Sequence, residues 1–264
     1  MHNFQSNYDK ILKVLKELDS KMDYLHQIGK PKLRDKELIA IDLTSEYIGI
    51  DSECQLFRTF LWNLSAKIER SVHNLRKRRL FYFRESLRKY LVLRLNQSEQ
   101  CYIIDSIPLE ICKLWRSSRS KICKEKDYSL PKKGYCASQA SNYYGYKIHA
   151  VCSAQGVIES MDISQASVHD INYLKDIKYE LGDCTLLGDR GYLSADYQLN
   201  LFENYNIKLE TPMRTNQHNY KEQPYIFKKS RKRIETLFSQ LCDQSFEGFK
   251  NRILSKITAM TVIQ

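Results

Sequence analysis

Glycine and proline are scarce: nine and five in 264 residues, with only Gly29, Gly49 and Pro31 in the first hundred. That excludes a loop-built N-terminal half and leaves room for long helices. The eight cysteines form no Cys-x-x-Cys pair, which argues against a zinc site. Several lie inside apolar runs, where a free thiol behaves as a small hydrophobe, so a reduced cytoplasmic protein is expected. No apolar run is long enough to cross a bilayer, and no signal-peptide pattern opens the chain. Internal repeats and low-complexity tracts are absent too. Acidic residues are outnumbered, 31 against 42 lysines and arginines, for a net charge of +11. Hydrophobic content of 42% excludes wholesale disorder, and the charge suits a polyanionic partner.

The first hundred residues read as helical. Tyr8, Ile11, Leu15, Leu18, Met22 and Leu25 recur at three- and four-residue steps and form one apolar stripe. Gly29-Lys-Pro31 ends that helix. A second helix begins near Asp35 and breaks at Gly49, and Asp51-Ser52 caps a third. A fourth is predicted from about Lys67 to Leu95. It carries ten basic residues, among them Arg76, Lys77, Arg78 and Arg79 in a row, offset by Glu69 and Glu85. Four consecutive cations go around a helix, so part of the cluster must face inward or meet a partner. Phosphate contact by this segment is one reading, a solvated face the other.

The pattern changes near Gln97. Cys101–Asp105 reads as a buried strand ending in an acid, and Thr185–Asp189 as another. Between them, Asn142–Val151 and Val157–Ile163 read as an antiparallel hairpin turning at Ala154-Gln-Gly156. A helix is expected over Ile171–Leu181, a further strand over Ile207–Thr211 and a helix over Ser230–Gln244. Strands followed by alternating strand and helix give an α/β or α+β domain.

Side chains alternate along a strand, so Cys101, Ile103 and Asp105 share a face, as do Thr185, Leu187 and Asp189. Glu235 lies beside the stripe Ile234, Leu237, Phe238 and Leu241 on the last predicted helix. Two strand-end aspartates and a helix-edge glutamate suit a pair of divalent cations for phosphoryl transfer. Each acid alone has an ordinary reading: a turn cap for Asp105 or Asp189, an ion pair with Arg231 for Glu235.

Six motifs then occur in order over roughly residues 100 to 245. They are Ile-Ile-Asp105-Ser-Ile-Pro-Leu-Glu-Ile-Cys, Tyr144-Gly-Tyr-Lys-Ile-His149, Ala166-Ser-Val-His169-Asp170, Leu-Leu-Gly-Asp189-Arg-Gly-Tyr192, Thr-Pro-Met-Arg-Thr-Asn-Gln and Arg233-Ile-Glu235-Thr-Leu-Phe238. In these the chain resembles the DDE transposases of bacterial insertion sequences, most closely the insertion-sequence 982 family. The resemblance implies an all-helical, DNA-binding region over residues 1–97. After it comes an RNase H-like α/β domain over 98–264, a mixed sheet flanked by helices.

Asp105, Asp189 and Glu235 are by this resemblance the catalytic, metal-binding acids, holding two Mg²⁺ (or Mn²⁺) ions. The implied activity is cleavage of DNA at an element's terminal inverted repeats and transfer of the freed strand to target DNA, by a homodimer bridging two ends. A decayed DNA-binding remnant, or a nuclease that cuts without joining, are the alternatives. Lys147, His149, His169 and Asp170 match recurrent positions near the core. Arg231 and Lys232, like Arg76–Arg79 and Lys147, are candidates for DNA contact. The chain stops at Gln264 within an apolar helical pattern where the family runs further, which reads as a copy shortened at its C-terminus.

Overall fold

A computed structural model describes residues 2–26, 28–50, 52–59, 64–137, 140–212, 225 and 246–263. The chain divides into two compact units, residues 1–94 with 247–264, and residues 95–246.

The first unit is helical: α1 (His2–Leu18), α2 (Asp35–Tyr47), α3 (Glu53–Thr59), α4 (Leu64–Lys67), α5 (Arg70–Arg79), α6 (Phe81–Leu95) and α9 (Phe246–Ile263). The first helix stops at Leu18, short of Met22 and Leu25 of the predicted stripe, and within it Tyr8, Ile11 and Leu15 pack into a core shared with Leu38, Ile41 and Leu43 of α2. Gly49 ends the α2 region with φ +77°, a left-handed conformation that favours glycine. The single helix expected over 67–95 is two, α5 and α6, with Leu80 as the fully buried joint between them. The last helix was expected with the sheet. Instead Ala259 and Val262 of α9 join the helical core beside Leu87 and Leu91.

That core also holds a polar network. Asp42 of α2 takes Lys77 of α5, Arg84 of α6 and the Ser255 hydroxyl of α9, while Arg84 also donates to Asn251. Glu46 accepts from Arg252. Burying charges this deeply requires such pairing. Burial would raise the Asp42 pKa, but Lys77 and then Arg84 overcome it and hold it at about 2.

The second unit is built on a six-stranded mixed sheet: β1 (Cys101–Cys112), β2 (Lys132–Cys136), β3 (Ser141–Ser153), β4 (Ile158–Gln165), β5 (Cys184–Leu187) and β6 (Ile207–Glu210). Central β1 pairs antiparallel with β3, which pairs with β4 and β2 on its other side. On the opposite side β1 pairs parallel with β5, and β5 with β6. An antiparallel meander on one side of the first strand and parallel strands on the other is the RNase H-like arrangement. The short helices α7 (Leu174–Ile177) and α8 (Ala195–Tyr205) cover the face of Tyr102, Ile104, Val151 and Leu186.

β1 is longer than expected. It runs seven residues past Asp105, through Pro108. Beyond Ile103 its parallel neighbour has ended, so that side is an edge among the described residues, where a proline without N–H is tolerated. Gly145 lies where β3 crosses this stretch. A Cβ there would stand 2.0 Å from the Leu109 carbonyl oxygen, so no larger residue fits.

Candidate active site

The last pair in the β1–β5 ladder is Ile103 with Leu187. Two residues beyond that pair stand Asp105, still within β1, and Asp189, just past the end of β5. Alternation sets Asp105 on the face of Ile103. Asp105 is 3% exposed, and its Oδ1 accepts from the Ser106 N–H at 2.9 Å. Its place is mid-strand rather than strand-end, but at the point where the partner strand stops. Asp189 is half-buried and caps a short 3-10 turn, Arg190–Tyr192, its Oδ1 accepting from the Gly191 N–H at 2.8 Å.

Gly191 shows how closely Asp189 and Asp170 approach. A Cβ on it would lie 2.9 Å from Asp189 Oδ1 and 3.3 Å from Asp170 Oδ2, which puts those oxygens within about 6 Å of each other. Tyr192 is fully buried in the apolar cluster of Tyr102, Ile104 and Val151. Burial first, then the charges of Asp170, Asp105 and Asp189, keep its hydroxyl protonated well above the usual tyrosine range. Three aspartates thus act on one buried ring. Sequence reading missed Tyr192, although it closes the Gly-Asp-Arg-Gly-Tyr motif.

Asp170 opens a 3-10 turn (Asp170–Tyr173) and is neutralised by Lys147 of β3, whose Nζ lies 2.9 Å from Oδ1 and 3.0 Å from the Val168 carbonyl. His149 pairs across the ladder with Ser106, whereas Asp105 pairs with Ala150. Lys147 and His149 do share a face, as the sequence predicts, but it is the face opposite Asp105. There His149 Nε2 meets the Ser164 hydroxyl at 2.7 Å and its ring lies 5.2 Å from Tyr173. Burial lowers its pKa to about 4, against the pull of Asp170 and with the push of Lys147. His169 is exposed, its ring accepting from the Ile171 N–H at 3.3 Å.

Glu235, Arg231 and Lys232 lie outside the described residues. Among the described residues, no three His, Cys, Asp or Glu side chains form a metal-holding group. The basic run splits in the helical unit. Arg76 pairs with Asp35, and Lys77 with Asp42 and, at 3.9 Å, Glu46. Arg78 and Arg79 are exposed. The acids of α2 decide which cations turn inward.

Comparison with known proteins adds a family. A family model described as a transposase DDE domain matches residues 95–248. No curated protein matches the chain. Solved structures that match include a Mos1 transposase paired-end complex with left transposon end, at 12% identity and TM-score 0.25, covering 75% of this chain and 64% of that one. The Mos1 strand transfer complex matches at 13% identity and TM-score 0.27, covering 94% and 82%. A pre-cleavage Mos1 transpososome does so at 11% and 0.27, covering 95% and 84%. The chain thus spans less than two thirds of the first of these, and likeness at such scores carries no functional weight.

Proposed function

The chain belongs to the transposase DDE-domain family, and we propose that it cuts DNA at the ends of a mobile element and joins the freed ends to target DNA. The observation that carries this reading is that Asp105 and Asp189 each stand two residues beyond the last pair of the parallel β1–β5 ladder, inside the family-matched segment. Six family-like motifs in order favour an insertion-sequence element of the 982 type, acting in the cytoplasm as a homodimer on two inverted repeats.

The donor chemistry fits a hard divalent cation. Both acids present oxygen only, their orientations are fixed by the Ser106 and Gly191 N–H groups, and the space a Cβ would fill at Gly191 is left to carboxylate oxygens. Asp105, Asp189 and Glu235 would hold two Mg²⁺ or Mn²⁺ ions. When bound, such a pair activates an attacking oxygen and stabilises the leaving one in an in-line displacement. The chain's own part is to position the phosphodiester between the acids. Asp170, tied to Lys147, lies beside the turn that Asp189 caps. Arg78 and Arg79, with Arg231 and Lys232, would neutralise DNA phosphates.

The test is a nicking assay on duplex carrying the DNA that flanks the gene. Asp105→Asn and Asp189→Asn should each cut at least about 10³-fold more slowly while binding as tightly as wild type. A wild-type chain that binds the ends and never cuts them, with either metal, points instead to a decayed DNA-binding remnant.

A further inference from the structure

The segment between β1 and β2 is unused by the site above, and its composition is extreme. Of residues 113–133, eight are lysine or arginine, all exposed, and two, Glu125 and Asp127, are acidic. The same stretch exposes two large aromatics. Trp115 is 72% exposed with the Arg116 guanidinium 4.6 Å from its ring centre. Tyr128 is 70% exposed with Lys126 Nζ 5.5 Å from its ring.

These side chains are presented by an anchored loop. Cys123 is fully buried, the Tyr146 hydroxyl donates to the Ser129 carbonyl, and Gln165 Nε2 donates to the Leu130 carbonyl at 3.0 Å. Gathering so many like charges costs energy unless a polyanion meets them. A paired duplex offers phosphates but hides its base faces. A strand with unpaired bases offers both, and aromatic platforms beside cations are what such a strand uses.

We propose that residues 113–133 bind a single-stranded stretch of DNA, with bases stacking on Trp115 and Tyr128 and phosphates on the surrounding cations. The proposal goes beyond the cleavage reading, since it assigns a second nucleic-acid contact in the same unit.

The test uses the full chain in EDTA, so that cleavage plays no part. Binding of a labelled single strand of roughly 12 nucleotides is compared with binding of the paired duplex by fluorescence anisotropy. Trp115→Ala and Tyr128→Ala should each bind the single strand about tenfold more weakly, with duplex binding nearly unchanged, and Trp115→Phe should recover most of the loss. Trp62→Phe leaves Trp115 as the sole tryptophan, and its emission should be quenched by the single strand. Equal loss on both DNAs, no loss on either, or a change in self-association alone overturns the proposal. Because no cutting is measured, its failure leaves the cleavage reading standing.

Discussion

Gly191 is the residue at which a single methyl group would do most harm to the site. Its Cβ would press on Asp189 Oδ1 at 2.9 Å and Asp170 Oδ2 at 3.3 Å, so Gly191→Ala should lower cleavage at least about tenfold. The melting temperature should move by only a few degrees, which calorimetry checks. His149 gives a pH signature. Its folded pKa is near 4 against 6.5 unfolded, so the unfolded state takes up the proton first and stability falls as pH drops from about 6.5 to 4. His149→Gln should flatten that slope in urea titrations. The places of Asp105 and Asp189 were legible in the sequence because each follows a short apolar run that reads as a strand. Asp170's convergence with Asp189 was not: they meet through turns packed from distant segments, which leave no period to read.

The elements show where local pattern is overruled by packing. The strand predicted over Cys101–Asp105 continues to Cys112, because the side of β1 beyond β5 no longer needs an N–H at Pro108. Four consecutive cations on one helix cannot all share a face, but their sequence does not say which turn inward. Asp35, Asp42 and Glu46 of α2 draw Arg76, Lys77 and Arg84 inward and leave Arg78 and Arg79 outside. Opposite consequences follow for the two groups. Asp42→Ala strands buried Lys77 and Arg84 and should cost about 3–5 kcal/mol of unfolding free energy. Arg78→Ala with Arg79→Ala should leave stability within about 0.5 kcal/mol. The same pair should reduce the salt dependence of DNA binding by about one unit of slope per lost phosphate contact. A DNA affinity unchanged by that pair removes α5 from the interface.

At the scale of the whole molecule, the family match over 95–248 nearly coincides with the unit of residues 95–246. The helical unit is closed by α9, which returns from the far end of the chain to supply Asn251 and Ser255 to Arg84 and Arg252 to Glu46. Deleting 247–264 should therefore unfold the helical unit, seen as loss of helical circular dichroism beyond the residues removed. A sequence boundary drawn in chain order could not anticipate a unit made of both ends. The central claim is that Asp105, Asp189 and Glu235 form one DNA-cutting and DNA-joining site. Strand transfer tests it most directly, with pre-cut element ends, target plasmid and Mg²⁺. The wild-type chain should join ends to target, and Asp105→Asn, Asp189→Asn and Glu235→Gln should each bind the ends and join none. Joining that survives Glu235→Gln, or wild-type cutting with no joined product, would contradict it.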